Sequence, residues 1–243
     1  MKRLFLFPAA LLLFAASAFA QAPDQPKAAK AAKAAYYVDT RVLDLSLIVP
    51  TPPAQDSLAV QAELAELHRI EAARTPAQAA AAQADENDET IFAYASALGP
   101  HFSAAGLPLT AAFGAHVHGE EPANANPLKS AFHRARPYQV DSTLHPVCKT
   151  TDQPNSYPSG HTVSGYLLAF TLVQMVPEKK AEILARADEY AHNRLVCGVH
   201  YPSDIAASRN IANALFGYMM ATPRFQIDLA AARAETRRQL GLN

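Results

Sequence analysis

Between Val163 and Val176 the chain is apolar almost all the way round a helical wheel. A helix with no polar face has to be surrounded by other protein or by lipid. Its 14 residues are too few to cross a hydrocarbon core, which takes about 20. The run therefore predicts a central helix buried inside a globular domain, and the flanking sequence supplies the helices to wrap it. Asp56-Ser57 offers an N-cap, followed by Leu58, Val60, Leu64, Leu67 and Ile70 at helical spacing. Thr75-Pro76 is a cap followed by proline at the first helical position, opening an Ala-rich helix. Further helices are predicted over Asn87–Leu98, stopped by Gly99-Pro100, and over Leu107–His118, stopped near Gly119. Three more follow at Glu178–Leu195, Asp204–Met220 and Phe225–Leu240. No stretch shows the period of two that a half-buried strand requires. Alanine is abundant, and it favours helix because it loses no side-chain entropy. The predicted fold class is all-α, and 243 residues without repeat or linker suit one core.

The N-terminus reads as an address. Lys2 and Arg3 precede an apolar run from Leu4 to Ala16, and Ala18-Phe19-Ala20 is a small-x-small cleavage site. Residues 1–20 are expected to be a signal peptide cleaved after Ala20, leaving an exported protein with no membrane span. Residues 21–36 read as a flexible lead-in, and 37–243 as the helical domain. Pro50, Pro52 and Pro53 forbid regular helix nearby, so 37–53 is expected to be an extended arm on the core surface. A formal net charge of −1 provides no overall basic field for nucleic acid, so any anion binding must be local. Cys148 and Cys197 are an even count in an oxidising compartment; the sequence leaves open whether they pair or stay as buried thiols.

Three clusters in the C-terminal half carry chemistry: Lys129-x6-Arg136-Pro137, Tyr157-Pro158-Ser159-Gly160-His161-Thr162, and Arg194-x5-His200-x3-Asp204. Ser159-Gly160-His161 opens the buried helix, where unpaired N–H groups and the positive end of the dipole suit an anion. Lys129, Arg136 and Arg194 are three cations that together would offset a doubly charged phosphate ester without a metal. His200 and Asp204 stand four apart, so a carboxylate can fix the imidazole tautomer and leave the other nitrogen free to attack. His161 can protonate a leaving alkoxide. Taken singly, each cluster also reads as a cap, a surface charge or a core histidine.

Together, their order and spacing resemble the type 2 phosphatidic acid phosphatase superfamily, whose signature runs K-x6-R-P, P-S-G-H, S-R-x5-H-x3-D. The stretches Asn155–Thr162 and Arg194–Asp204 further resemble the bacterial class A non-specific acid phosphatases. That resemblance implies the helical fold shared with vanadium haloperoxidases and a metal-free reaction with no cofactor. It implies His200 as nucleophile, Asp204 as its orienter and His161 as acid and then base. Lys129, Arg136, Ser159, Gly160 and Arg194 would hold the phosphoryl oxygens. It also implies small phosphomonoesters as substrates, a periplasmic location and a homo-oligomer. Asn193 departs from the family pattern by replacing the serine before the third-motif arginine, and a tuned site is expected there. A vanadate-dependent haloperoxidase and a phosphate-binding protein without turnover are the alternative readings. His116-x-His118 with Glu120-Glu121 raises a metal only weakly, since residues two apart do not share a helical face.

Overall fold

The computed structural model describes residues 35–39 and 42–242, together with Met1. The expected signal peptide and cleavage site, and most of the expected lead-in, lie outside the described residues. From Ala35 onward the described residues belong to one compact unit.

The central helix is present as α6 (Gly160–Met175), with Val163, Leu167, Leu168, Leu172 and Met175 all excluded from solvent. Fully burying a side chain of this size is worth about 1.5–3 kcal/mol. The helices round it are α4 (Pro108–Phe132), α7 (Lys180–Val196), α8 (Pro202–Met220) and α9 (Pro223–Gln239). Outside them, α1 (Leu58–Ala73) and α2 (Pro76–Asn87) lie against α7. Both begin as predicted: the Ser57 hydroxyl accepts from Val60 N–H, and Thr75 forms a capping box with Gln78. Two short helices, α3 (Ala95–Leu98) and α5 (Pro137–Val140), complete the set. The fold class is all-α, as the periodicity required.

Two boundaries differ from expectation. The helix expected to stop near Gly119 runs on to Phe132, through Pro122 and Pro127. Those prolines remove the N–H groups that would have bonded the His118 and Ala123 carbonyls; between them Asn124 Nδ2 donates to the Glu120 carbonyl at 2.7 Å. The predicted 87–98 helix starts late: Thr90 caps a 3₁₀ turn over Ile91–Tyr94, which leads into α3. The described residues of the arm contain a 3₁₀ turn at Leu45–Leu47, and Tyr37, Val38, Leu45 and Val49 are buried. Glu120, carried inward by the continuing α4, accepts from the N–H groups of Tyr36, Tyr37 and Val38.

Candidate active site

The link between α7 and α8 carries His200. Gly198 turns that link at φ +75°, a conformation that a side chain would strain. Cys197 is bonded to Cys148, with Cα atoms 5.2 Å apart, so the pairing left open by the sequence is made. Val147 N–H donates to the Cys197 carbonyl beside it. The position of His200 is thus fixed from both sides of the link.

Asp204 is the third residue of α8. Its Oδ2 accepts from Tyr201 N–H (2.9 Å), from the Ser156 hydroxyl (2.6 Å) and from His200 Nδ1 (3.2 Å). Its Oδ1 accepts from Arg134 at 2.6 Å. Arg134 is itself held by Glu63 of α1 at 2.8 Å and lies over the Tyr201 ring. Burial pushes the Asp204 carboxyl up, while Arg134 and the hydrogen bonds oppose that rise. A carboxylate so supplied with donors places the His200 hydrogen on Nδ1, and Nε2 keeps its lone pair. Arg136 sits 3.4 Å from that Nε2 as a donor, consistent with the same tautomer.

The three cations converge here. Lys129, in the last turn of α4, donates to the carbonyls of Pro158 (2.7 Å) and Asn155 (3.3 Å). Arg136 donates to Asn155 Oδ1 and the Val199 carbonyl, both at 2.9 Å. Arg194 is 3% exposed, reaches Glu86 at 3.4 Å, and keeps its Nε buried without a partner among the described residues. Burial and the neighbouring arginines push the Lys129 ammonium down to about 8, although Glu121 opposes them. Burial and then Arg136, Lys129 and Arg194 hold the His200 imidazolium far below its usual range. Positive groups packed this closely are stabilised by an arriving anion.

The N-terminus of α6 completes the site. Ser159 is the N-cap, its hydroxyl accepting from Thr162, so the capping reading is right; the hydroxyl hydrogen is left for a ligand. A Cβ on Gly160 would collide with the Glu121 carboxylate. His161 Nε2 lies 3.2 Å from the Glu86 carbonyl, and burial followed by Arg194 pushes the imidazole down to about 4. All eight residues singled out by spacing therefore stand round one centre.

A family model described as the PAP2 superfamily matches residues 105–228, half of the chain. The chain belongs to the PAP2 superfamily. Curated relatives of this PAP2 protein include a non-specific acid phosphatase of Salmonella typhimurium, 38% identical over 44% of each chain. An acid phosphatase of Zymomonas mobilis is 33% identical over 58% of this chain and 55% of its own. The chain thus spans about half the length of the curated relatives it matches. A crystal structure of a transmembrane PAP2 type phosphatidylglycerolphosphate phosphatase from Bacillus subtilis aligns with a TM-score of 0.46. It is 21% identical and covers 69% of this chain and 87% of that one, a likeness too distant to bear on the site. In this PAP2 protein, no helix among the described residues is long and apolar enough to cross a membrane.

Asn193, the departure from the superfamily pattern, donates to Asp85 Oδ2 at 2.7 Å. Asp85 also holds Arg186, so Asn193 serves the contact between α2 and α7. Sequence reasoning gave no role to Arg134, Ser156, Glu63, Glu86 or Glu89, and raised Glu121 only for a metal. Arg134 stood two residues from a predicted cation and was the most findable. Glu63, Glu86, Glu89 and Glu121 arrive from α1, α2, the segment after it and α4, and no local spacing announced them. His116 stacks on Tyr36 at 3.7 Å while His118 meets Glu89, so the two histidines diverge.

Proposed function

We propose that this protein is an exported acid phosphatase that hydrolyses a broad range of small phosphomonoesters through a phosphohistidine. The observation that carries the reading is His200, its Nδ1 held by buried Asp204 and its Nε2 facing Arg136. The Nε of Arg194, buried without a partner among the described residues, supports it, since it suits a phosphoryl oxygen. The superfamily and the named activities of its relatives add support.

The chemistry follows from the tautomers. His200 Nε2 attacks phosphorus, and the bond from phosphorus to the alcohol oxygen breaks. His161 gives its proton to the departing oxygen. Lys129, Arg136 and Arg194, with the N–H groups at the start of α6, take the charge that spreads over the equatorial oxygens. His161, now neutral, takes a proton from water, whose oxygen attacks phosphorus and releases Nε2. An alcohol in place of water would give phosphotransfer. Both free histidines are held neutral by burial. A phosphate monoester loses its second proton near pH 6, so a monoanionic substrate can bring the proton that His161 needs. Activity should therefore be highest in acid and fall as the substrate becomes a dianion.

Export to the periplasm rests on the N-terminal pattern of residues 1–20. Assembly into a homo-oligomer is carried over from the family resemblance. The deciding experiment is p-nitrophenyl phosphate hydrolysis by the mature chain from pH 4 to 8, with and without EDTA, plus alkaline-quench trapping of the phosphoenzyme. Acid-optimal, chelator-indifferent turnover with an acid-labile, base-stable phosphoenzyme supports the reading. A folded protein without turnover would sink it in favour of a vanadate-dependent or purely binding role.

A further inference from the structure

His161 also has an acidic neighbour. Glu89 follows α2, and its Oε1 lies 3.6 Å from His161 Nε2. Its other oxygen is 3.1 Å from Nε2 of His118, which reaches across from α4. The Glu86 carbonyl, 3.2 Å from the same His161 nitrogen, can only accept, so Nε2 carries the hydrogen of the neutral ring. The proton that His161 gains and loses is then on Nδ1, which has no hydrogen-bond partner among the described residues. Glu86 cannot supply the second carboxylate, because its oxygens are taken by Arg194 and the Lys149 N–H.

We propose that Glu89, steadied by His118, is the positioning residue of His161, so that the site contains two carboxylate–imidazole pairs of opposite polarity. Asp204 holds Nδ1 of His200 and exposes Nε2; Glu89 faces Nε2 of His161 and leaves Nδ1 to the substrate. The proposal rests on His161 acting as the acid in the reaction above.

The groups facing His161 come from every side. Glu86 and Glu89 lie on one, Arg194 and Tyr190 of α7 on another, with His118 and Glu121 of α4 and His200 completing the set. Burial and Arg194 disfavour the imidazolium, and Glu89 and Glu86 favour it. Removing the Glu89 charge leaves Arg194 less opposed.

The test is a side-chain NMR titration of His161 in wild type, Glu89→Gln, Glu89→Asp and His118→Gln, alongside kcat/KM for aryl and alkyl phosphates. Loss of an opposite charge at this range lowers a histidine pKa by about one unit or more. Glu89→Gln should show that shift. General-acid assistance is worth about 10²–10⁴-fold. The loss should therefore be near 10²-fold for an alkyl phosphate and under ~10-fold for p-nitrophenyl phosphate. Glu89→Asp should recover part of the shift, and His118→Gln should give a smaller one. A folded Glu89→Gln protein with an unmoved His161 titration and unchanged leaving-group dependence overturns the proposal. If wild type is inactive while the titration still shifts, the phosphatase reading fails and the Glu89–His161 pairing survives.

Discussion

His200 and His161 are both histidines with a carboxylate at hand, yet their surroundings are opposites. His200 is 2% exposed, and its Asp204 is fully buried and receives four donors. The side chains of His161 and Glu89 are 22% and 37% exposed, and only one carbonyl and one histidine fix the pair. A nucleophile must be held to one tautomer and one direction, which many buried hydrogen bonds achieve. On the proposed mechanism, an acid that later activates water must meet both substrate and solvent, and His161 is the more exposed of the two. Rigidity would then be concentrated where a bond to phosphorus forms, and openness where protons are exchanged.

The comparison can be broken or sharpened in order of expected effect. His200→Ala should lower kcat/KM for p-nitrophenyl phosphate by about 10⁴-fold or more, because no other group can form the intermediate. Circular dichroism must show it folded; near-normal turnover would remove His200 from the mechanism. Asp204→Asn should cost roughly 10³–10⁴-fold by favouring the wrong tautomer. It also leaves Arg134 with one charge partner fewer, so urea melts should show a loss of about 3 kcal/mol or more. A kinetic loss without a stability loss would mean that Asp204 orients but does not brace. His161→Ala should cost about 10²–10³-fold with alkyl phosphates and far less with p-nitrophenyl phosphate. Equal losses would remove the contrast between nucleophile and acid.

Two stability measurements sharpen it further. Replacing Cys148 and Cys197 together by serine should cost about 2–4 kcal/mol in thermal or urea melts. Because the bridge pins the His200 link, the damage should fall on the sealed side; an unchanged melting curve would mean that hydrogen bonds alone hold it. Acidification acts more gently. The His161 pKa is about 4 in the folded protein against 6.5 unperturbed, so between those values the unfolded chain binds more protons. Stability of the unliganded protein should fall as pH drops from about 6.5 towards 4, less steeply in His161→Gln. Inorganic phosphate should offset the fall, and indifference of the melting temperature to phosphate would argue against the anion site.

Much of this molecule was legible in its residue order. The apolar wheel of α6, the caps at Ser57 and Thr75, and the spacing of the three clusters are local properties, and local geometry carries them into the fold. What was misread depended on compensation at a distance. Gly119 looked like a helix stop, but α4 continues past it and carries Glu120 onto the N–H groups of Tyr36, Tyr37 and Val38. Asn193 was expected to tune the site, but its amide is spent on Asp85. Whether Cys148 met Cys197 was a question of distance, and chain order contains no distances.

The sequence by itself determined an all-helical domain round one buried helix, and it singled out eight residues that the fold brings together. Helical periodicity and motif spacing act within a few residues, so they survive translation into structure. Only the tertiary structure decided which acids attend which histidine. Arg134 and Glu63 brace Asp204, while Glu89 and His118 attend His161. Those partners lie tens of residues apart in the chain. The strength of such pairs is set by distance and burial, and both come into being only when the helices pack.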